Sequence, residues 1–551
     1  MKTRHFYYLL IIVGFISLFA TCKNTITDTE HSSEEEVIDE EIEVDLKEVD
    51  DYSEAMPKKI SLANQGNYQF ERNYNPYNQQ YFQNPFDSTI EVSGTFCELR
   101  GNHFHGGLDI RTGGREGWPV KASAAGYVER IKVSTKGYGR VLYIRHPNGY
   151  TTVYGHLQQF KGAIANYIRA AQYQQRKFEI ELYPNKNELK VTQGQLVALS
   201  GNTGGSGGPH LHFEIRNPKG QSTNPLMHGL EVKDNLKPVI KNISIYLKDK
   251  NSLVENGNYP YKIVNRNGAL LNQTQALNVK PGTYSFGLHT DDYFSDRRNK
   301  LGINYCWVTT NGYLLYQYQI EKFEFPKGRY INTHTDPYLD YKTNRTYIRL
   351  FKENFNPLGY YKQNTNGEIW LKHGDSVQMK VYVQDYAGHI DSVSWIMVGD
   401  TTSEKLKFND SDKYDFKKRV SKTKSTYISY ENWNISVPGA AVYHPFDFKL
   451  TDAPKRESML SNTLQMHYPY TPLHKYISVS YKLPADWLKY GNKLCAFSFD
   501  GKRKYYEGGS LNGSSLKFRT RSLGEYAIAV DDLAPKLKPL QFGKNYKFRV
   551  T

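Results

Sequence analysis

Between Pro119 and His156 apolar and polar residues repeat with a period of two, and the run turns back on itself at Asn148-Gly149. Val141, Tyr143 and Arg145 alternate with Leu142, Ile144 and His146, and a second alternating run begins at Tyr150. A period of two sends successive side chains to opposite faces of a pleated strand. Asn-Gly between two such runs favours a type I′ hairpin. The stretch predicts strands over Pro119–Ala122, Gly126–Val133, Arg140–Arg145 and Tyr150–His156, the last ending at a histidine. Heavy use of tyrosine, 45 of 551 residues, supports strands, because aromatic side chains fit a half-buried pleated surface.

Gly162 to Lys177 interrupts this pattern. Ile164, Tyr167, Ile168 and Ala171 recur at helical spacing, and Ala163, Ala165 and Ala170 favour a helix. Strands are expected to resume near Phe178 and over Gln195–Ser200. A glycine-rich loop, Gly201 to Gly208, then leads into a strand over His210–Arg216. Beyond Val232 the texture changes. Asp234-Asn235-Leu236-Lys237-Pro238 is echoed by Asp532-Leu533-Ala534-Pro535, and both precede alternating apolar residues, which marks two domain joints. Between them lie short alternating strands such as Ser376–Val383 and Tyr526–Val530, with Asp385-Tyr386-Ala387-Gly388 as the tight turn before a last strand. Regular turns and alternation of this kind predict β-sandwiches. A boundary near Asp400–Leu406 divides them.

The first residues carry Lys2, Arg4 and His5, then an apolar run from Phe6 to Ala20. That run is shorter than the roughly 20 residues a spanning helix prefers and has the layout of a secretory signal. Cys22 follows it directly. From Asn24 to about Tyr52 the chain is acidic, with Glu34, Glu35, Glu36, Asp39, Glu40, Glu41, Glu43 and Asp45 repelling one another, so an extended, disordered tether is expected. The net charge is +15 despite this segment. Two readings stand: attraction to an anionic wall or membrane surface, or a solvated lysine-rich exterior. No nucleic-acid motif accompanies the charge. Cys97, Cys306 and Cys495 are too widely spaced for a disulfide framework or a cysteine-rich metal knuckle, and buried, inert thiols are expected.

The chemistry gathers in two places. His105, Gly106, Gly107, Leu108 and Asp109 stand in a row, and Gly207-Gly208-Pro209-His210-Leu211-His212-Phe213-Glu214 comes about a hundred residues later. His210 and His212 alternate on one strand and so face the same way. With 16 histidines in the chain, such a pair alone is weak. The glycines beside His105 let the backbone bend so that imidazole and carboxylate converge. A carboxylate with imidazoles suits zinc, which in catalytic sites takes three protein ligands and keeps one open position. Tyr154-Gly155-His156 adds a further histidine at a strand end.

These motifs resemble the lysostaphin/LytM-type zinc peptidases, which cut peptide bonds in bacterial cell walls. The family's His-x-Gly-x-Asp appears as His105 to Asp109. Its ordered valine, alanine and glycine appear as Val120, Ala122, Gly126 and Val128. Its hairpin ending in tyrosine and histidine appears as His146, Asn148, Gly149, Tyr154, His156 and Leu157, and its closing loop as Gly201 to His212. The resemblance covers roughly residues 90 to 217 and implies a small antiparallel β domain with a narrow groove over one zinc ion. It implies that His105, Asp109 and His212 bind the metal, and that His156 and His210 are catalytic without being ligands. No His-Glu-x-x-His helix supplies a glutamate base, so an imidazole must do that work. One of His156 and His210 then orients or deprotonates the water, and the other donates to the developing oxyanion or leaving amine. Which does which stays open.

The expected architecture is mainly β. A signal peptide (1–21) and acidic tether (22–67) precede a peptidase domain with a helical insertion (68–232). Two β-sandwich-like domains (233–402 and 403–531) and a C-terminal segment (532–551) follow. The expected function is zinc-dependent hydrolysis of peptidoglycan cross-links by an exported protein of the cell envelope. By resemblance to bacterial lipoprotein signals it is lipid-anchored at Cys22, although Phe19 and Thr21 depart from that pattern. An exported enzyme in an envelope with an outer membrane would meet D-Ala–diaminopimelate links. The alternative is a non-enzymatic relative that activates or scaffolds wall amidases; the presence of all five site residues argues against it. The helical insertion either walls the groove or decorates its rim. The C-terminal β domains position the peptidase, bind an envelope protein partner or act as a spacer.

Overall fold

The computed structural model describes residues 77–550, apart from 79, 233, 249–260, 266–275, 295–299, 354, 362–365, 407–413, 534–536 and 542–546. The expected signal segment, Cys22 and the acidic tether lie outside the described residues. Among the described residues no helix is long and apolar enough to cross a membrane.

The first part of the chain forms β1 (Val92–Gly94), β2 (Leu99–Arg100), β3 (His103–Phe104), β4 (Leu108–Arg111), β5 (Pro119–Lys121), β6 (Gly126–Val133), β7 (Arg140–Arg145), β8 (Thr151–Gly155) and β9 (Gln159–Phe160). Helix α1 (Gly162–Gln175) follows, then β10 (Ile180–Leu182), β11 (Lys190–Val191), β12 (Leu196–Leu199), β13 (His210–Arg216) and β14 (Ser222–Thr223). The main sheet runs β1-β4-β13-β8-β7-β6-β10, and every pairing within it is antiparallel. A second, three-stranded sheet runs β5-β12-β9.

Alternation decides what the main sheet buries. Leu108 and Ile110 on β4, with Leu211, Phe213 and Ile215 on β13, are essentially fully buried in the hydrophobic core. The intervening positions, Asp109 on β4 and His210, His212, Glu214 and Arg216 on β13, therefore share the other face.

The hairpin at Asn148-Gly149 forms, but not with the expected type I′ turn. Gly149 has φ 82°, whereas Asn148 is not among the positive-φ residues. The Gly149 amide donates to the His146 carbonyl, and the His146 amide donates to the Tyr150 carbonyl. In a type I′ turn centred on Asn148-Gly149, Pro147 would have to donate its amide to the Tyr150 carbonyl, and proline has no N–H to give. The result is a three-residue Pro147-Asn148-Gly149 loop with glycine in the left-handed position.

Helix α1 buries Ile164 and Ile168 and ends at Arg176, whose φ is 52°. Ala165, Tyr167 and Ala171 pack partly against the same core. Its contacts are with β9 and β12, so it caps the small sheet. Tyr173 remains exposed.

Beyond β14 the strand Val239–Leu247 begins a six-stranded sheet, and a five-stranded sheet is built around Ser376–Gln384 and Ile390–Gly399. Phe286 of the first meets Trp395 of the second edge to face at 5.4 Å between ring centroids. This core is continuous with that of the preceding sheet. A short strand, Lys322–Phe323, pairs with β14 and so extends the first part's sheet. Residues 416–530 form two further sheets of six and five strands around a separate core containing Trp433, Phe448, Leu450, Phe518 and Ile528. Leu537–Gln541 and Lys547–Val550 make a hairpin. Cys97, Cys306 and Cys495 are buried free thiols, and burial pushes the Cys495 thiol up to about 12.

Candidate metal centre

Register brings the distant motifs together. His212 on β13 is paired with Asp109 on β4 and, on its other side, with Gly155 at the end of β8. Directly opposed residues of an antiparallel pair share a face. The glycine at 155 leaves room there, since a Cβ at that position would stand 3.2 Å from that of His212. His105 leaves β3 and joins the same face. Its Nε2 is 3.0 Å from Asp109 Oδ1 and 3.1 Å from His212 Nδ1, and His212 Nδ1 is 3.0 Å from Asp109 Oδ1. All three residues are buried.

The glycines of the first motif matter for a reason other than bending. Gly106 and Gly107 are not among the positive-φ residues. A Cβ on Gly107 would lie 2.1 Å from the Phe213 carbonyl oxygen. Gly107 is thus required by the close approach of β13, which is what puts Asp109 opposite His212.

His156 and His210 complete the cluster, with ring centroids 4.7 Å apart. His210 Nε2 lies 3.4 Å from Asp109 Oδ1, and its side chain is 15 % exposed. Strict alternation after Gly155 would send His156 to the opposite face. Its φ of 57° breaks the alternation. A left-handed non-glycine conformation costs of order 1–3 kcal/mol and persists where surrounding structure imposes it. Here the His156 amide donates to the Tyr138 carbonyl and Nδ1 to the Thr203 carbonyl at 2.8 Å.

The outer nitrogens fix which atom each ring presents inward. His105 Nδ1 donates to the Thr95 carbonyl (2.7 Å), His156 Nδ1 to that of Thr203 and His210 Nδ1 to that of Gly208 (2.8 Å). His212 Nε2 donates to Glu214 Oε1 at 2.9 Å. Each neutral ring then has only a lone pair left for the centre, where the Asp109 carboxylate is also an acceptor. With all four rings neutral, four lone pairs and a carboxylate converge with no donor among them, so the set calls for a cation, a proton or a metal ion. The spacing agrees. Tetrahedral zinc with ligand bonds of about 2.05 Å sets its ligand atoms about 3.3 Å apart, and the three donors here are only slightly closer.

Electrostatics follow the same logic. Burial works against a charge on His212, but its bonds to Asp109 and Glu214 outweigh that and raise its pKa to about 9. A proton on Nδ1 thus stands where a metal ion would. Burial, reinforced by the neighbouring His212 and His210, lowers His156 to about 3 and keeps it neutral. The Asp109 carboxyl is held well below the usual range; burial opposes this, and His105, His210 and His212 prevail.

Several supporting residues were not given roles from the sequence. Glu214 also accepts from the Tyr138 hydroxyl (2.5 Å) and from Arg216 Nε (2.7 Å), and Tyr138 stacks on His212 at 4.9 Å. Burial notwithstanding, Arg216 and His212 lower the Glu214 carboxyl to about 2. Arg100 Nη2 binds Asp109 Oδ2 at 2.8 Å. The one signal for Glu214 was its position two residues after His212 on a strand; Tyr138, Arg100 and Thr95 come from segments that no periodicity connects to the site.

A β domain that turns these side chains toward one point has, in His105, Asp109 and His212, a group that could hold a metal ion. Residues 103–174 and 179–225 match the sequence model described as peptidase family M23, so this part of the chain is an M23 domain. Residues 417–531 match the Zu5-like domain. The chain is 35% identical over 122 residues to the DD-carboxypeptidase/endopeptidase Mpg of Neisseria meningitidis, covering 22% of each chain. It is 34% identical over 113 residues to the murein hydrolase activator EnvC of Escherichia coli, covering 20% of this chain and 21% of that one. The match thus spans about a fifth of the length of these relatives. Among solved structures, a mutant catalytic domain of the prophage-encoded M23 protein EnpA from Enterococcus faecalis is 28% identical, with 27% of this chain and 95% of that one covered and a TM-score of 0.19.

Proposed function

We propose that this protein is a zinc-dependent endopeptidase that hydrolyses peptide cross-links of bacterial peptidoglycan. The observation that carries the reading is the inward convergence of four imidazole lone pairs and one carboxylate. His105 Nε2, an Asp109 carboxylate oxygen and His212 Nδ1 would hold one zinc ion. Zinc there would lower the pKa of a coordinated water and polarise the scissile carbonyl.

The remaining work falls to the protein. Thr203 and Gly208 hold His156 and His210 in the tautomer whose Nε2 is free. One of these rings takes a proton from the attacking water, and the other, once protonated, stabilises the oxyanion or hands a proton to the leaving amine. Glu214 and Thr95 keep the two histidine ligands oriented. The resemblance to a DD-carboxypeptidase/endopeptidase supports peptidoglycan as the substrate class. The apolar leader before Cys22 supports export to the cell envelope with a lipid anchor.

EnvC supports a second reading, activation of murein hydrolases without catalysis. The complete donor set favours catalysis, because an activator has no use for two free Nε2 lone pairs beside three ligands. Digestion of purified sacculi, with and without a chelator, separates the two. New peptide termini in the mass spectrum that vanish with chelator support the peptidase. No new termini at any zinc level exclude it.

A further inference from the structure

A second group of metal-ligating side chains lies away from the M23 centre. Asp234, Asp385 and His389 each offer a ligand atom, and these atoms lie within 4.8 Å of one another. Asp234 sits in the segment that joins β14 to the strand Val239–Leu247. Asp385 and His389 bracket the tight turn between Ser376–Gln384 and Ile390–Gly399, in which Gly388 has φ 93°. The turn is already shaped for this: the His389 amide donates to Asp385 Oδ1 and the His389 ring to Asp385 Oδ2, both at 2.9 Å.

Asp292 is the independent observation. It lies near the end of the strand Gly282–Tyr293, is only 1 % exposed, and its Oδ1 has no hydrogen-bond partner. Burying a carboxylate oxygen unpaired costs free energy unless something cationic compensates it. Among the described residues no cation pairs with it. Its carboxyl is within electrostatic reach of both Asp385 and Asp234; burial, reinforced by those two like charges, raises it to about 8. Asp292 is thus sealed from solvent and lies in the field of Asp385 and Asp234.

We propose that Asp234, Asp385 and His389, backed by Asp292, form a second, structural site for a divalent cation. Oxygen donors predominate, so the ion is of the harder class, calcium or manganese. Asp234 and His389 are half-buried and leave an approach for it. The ion would fasten two separate segments: the joint after the M23 domain and the turn of the five-stranded sheet. That turn also touches the M23 domain, because the Tyr386 hydroxyl donates to the Phe96 carbonyl, one residue from the Thr95 carbonyl that holds His105. The site would therefore stiffen the connection between the M23 domain and the sheets that follow. It does not depend on the peptidase reading.

The test is thermal unfolding of the full zinc-loaded chain, with calcium or manganese added after chelation of loosely held metal. Expected is a midpoint raised by a few degrees by one of the two ions, absent in Asp385→Asn and in Asp292→Asn. Asp292→Asn guards against simple misfolding. It replaces the buried carboxyl with a neutral group of the same shape, so without added ion it should unfold at or above the wild-type temperature. A wild-type midpoint that neither ion moves overturns the proposal. So does an ion-dependent shift that survives in Asp292→Asn, or an Asp292→Asn protein that unfolds earlier than wild type in ion-free buffer.

Discussion

Glu214 accepts the Nε2 proton of His212 at 2.9 Å, so the same residue that leaves Nδ1 free for a metal is held by a fully buried carboxylate two positions along its own strand. Partners of this kind set the tautomer and basicity of a ligand histidine, and losing one costs about 10–100-fold in metal affinity. Glu214→Gln should weaken zinc binding by that order while the fold persists. Competition against a chromophoric chelator measures it, and unchanged affinity would remove Glu214 from the account.

His156 is assigned to the reaction and not to the ligand set. His156→Ala should keep its zinc, by elemental analysis, and lose about 100-fold or more in cleavage of wall peptides. A variant that cleaves at the normal rate, or one that loses its zinc, contradicts the division of roles.

Gly107 makes a sharper structural prediction. In Gly107→Ala the new Cβ would meet the Phe213 carbonyl oxygen at 2.1 Å, and backbone on neither side can yield without separating β4 from β13. Overpacking of this kind costs about 1–3 kcal/mol. Because the clash falls beside the Asp109–His212 pair, a lower unfolding midpoint should come together with weaker zinc retention. Midpoint and metal content falling independently would show that strand spacing does not set the site.

Much of this was legible in the sequence, and the reason is periodicity. β6, β7 and β13 begin and end where they were expected; apolar side chains on alternate positions of β6 and β13 enter the core, and β7 buries apolar side chains on both faces. Helix α1 was legible for the matching reason, with Ile164 and Ile168 one turn apart. The hairpin was legible as a reversal, but its turn type was not, because Pro147 overrode the Asn-Gly preference. His105, Asp109, His156, His210 and His212 could be singled out from their motifs, but their division into metal ligands and catalytic groups came only through the family resemblance. What no pattern offered was the support around them. Arg100, Tyr138 and Thr95 reach the centre through register and loop contacts. Asp234 is brought to the Asp385–His389 turn across about 150 residues by sheet topology.

Tyr138 tests whether the surroundings of the centre are tuned or incidental. Its hydroxyl donates to buried Glu214 while its ring stacks on His212. Tyr138→Phe keeps the stack and removes the donor, which for a bond to a charged group costs about 1.5–3 kcal/mol. A lowered unfolding free energy in denaturant titration, with zinc still bound, is expected. No change would mean that Arg216 and His212 alone satisfy Glu214.

The most direct measurement is anomalous X-ray scattering at the zinc edge from crystals of the zinc-loaded chain. The account predicts a peak within about 2.0–2.2 Å of His105 Nε2, an Asp109 carboxylate oxygen and His212 Nδ1, with His156 and His210 beside it but not bonded to it. The absence of a peak at that point, or a peak ligated by His156 or His210 in place of one of the three, would contradict it.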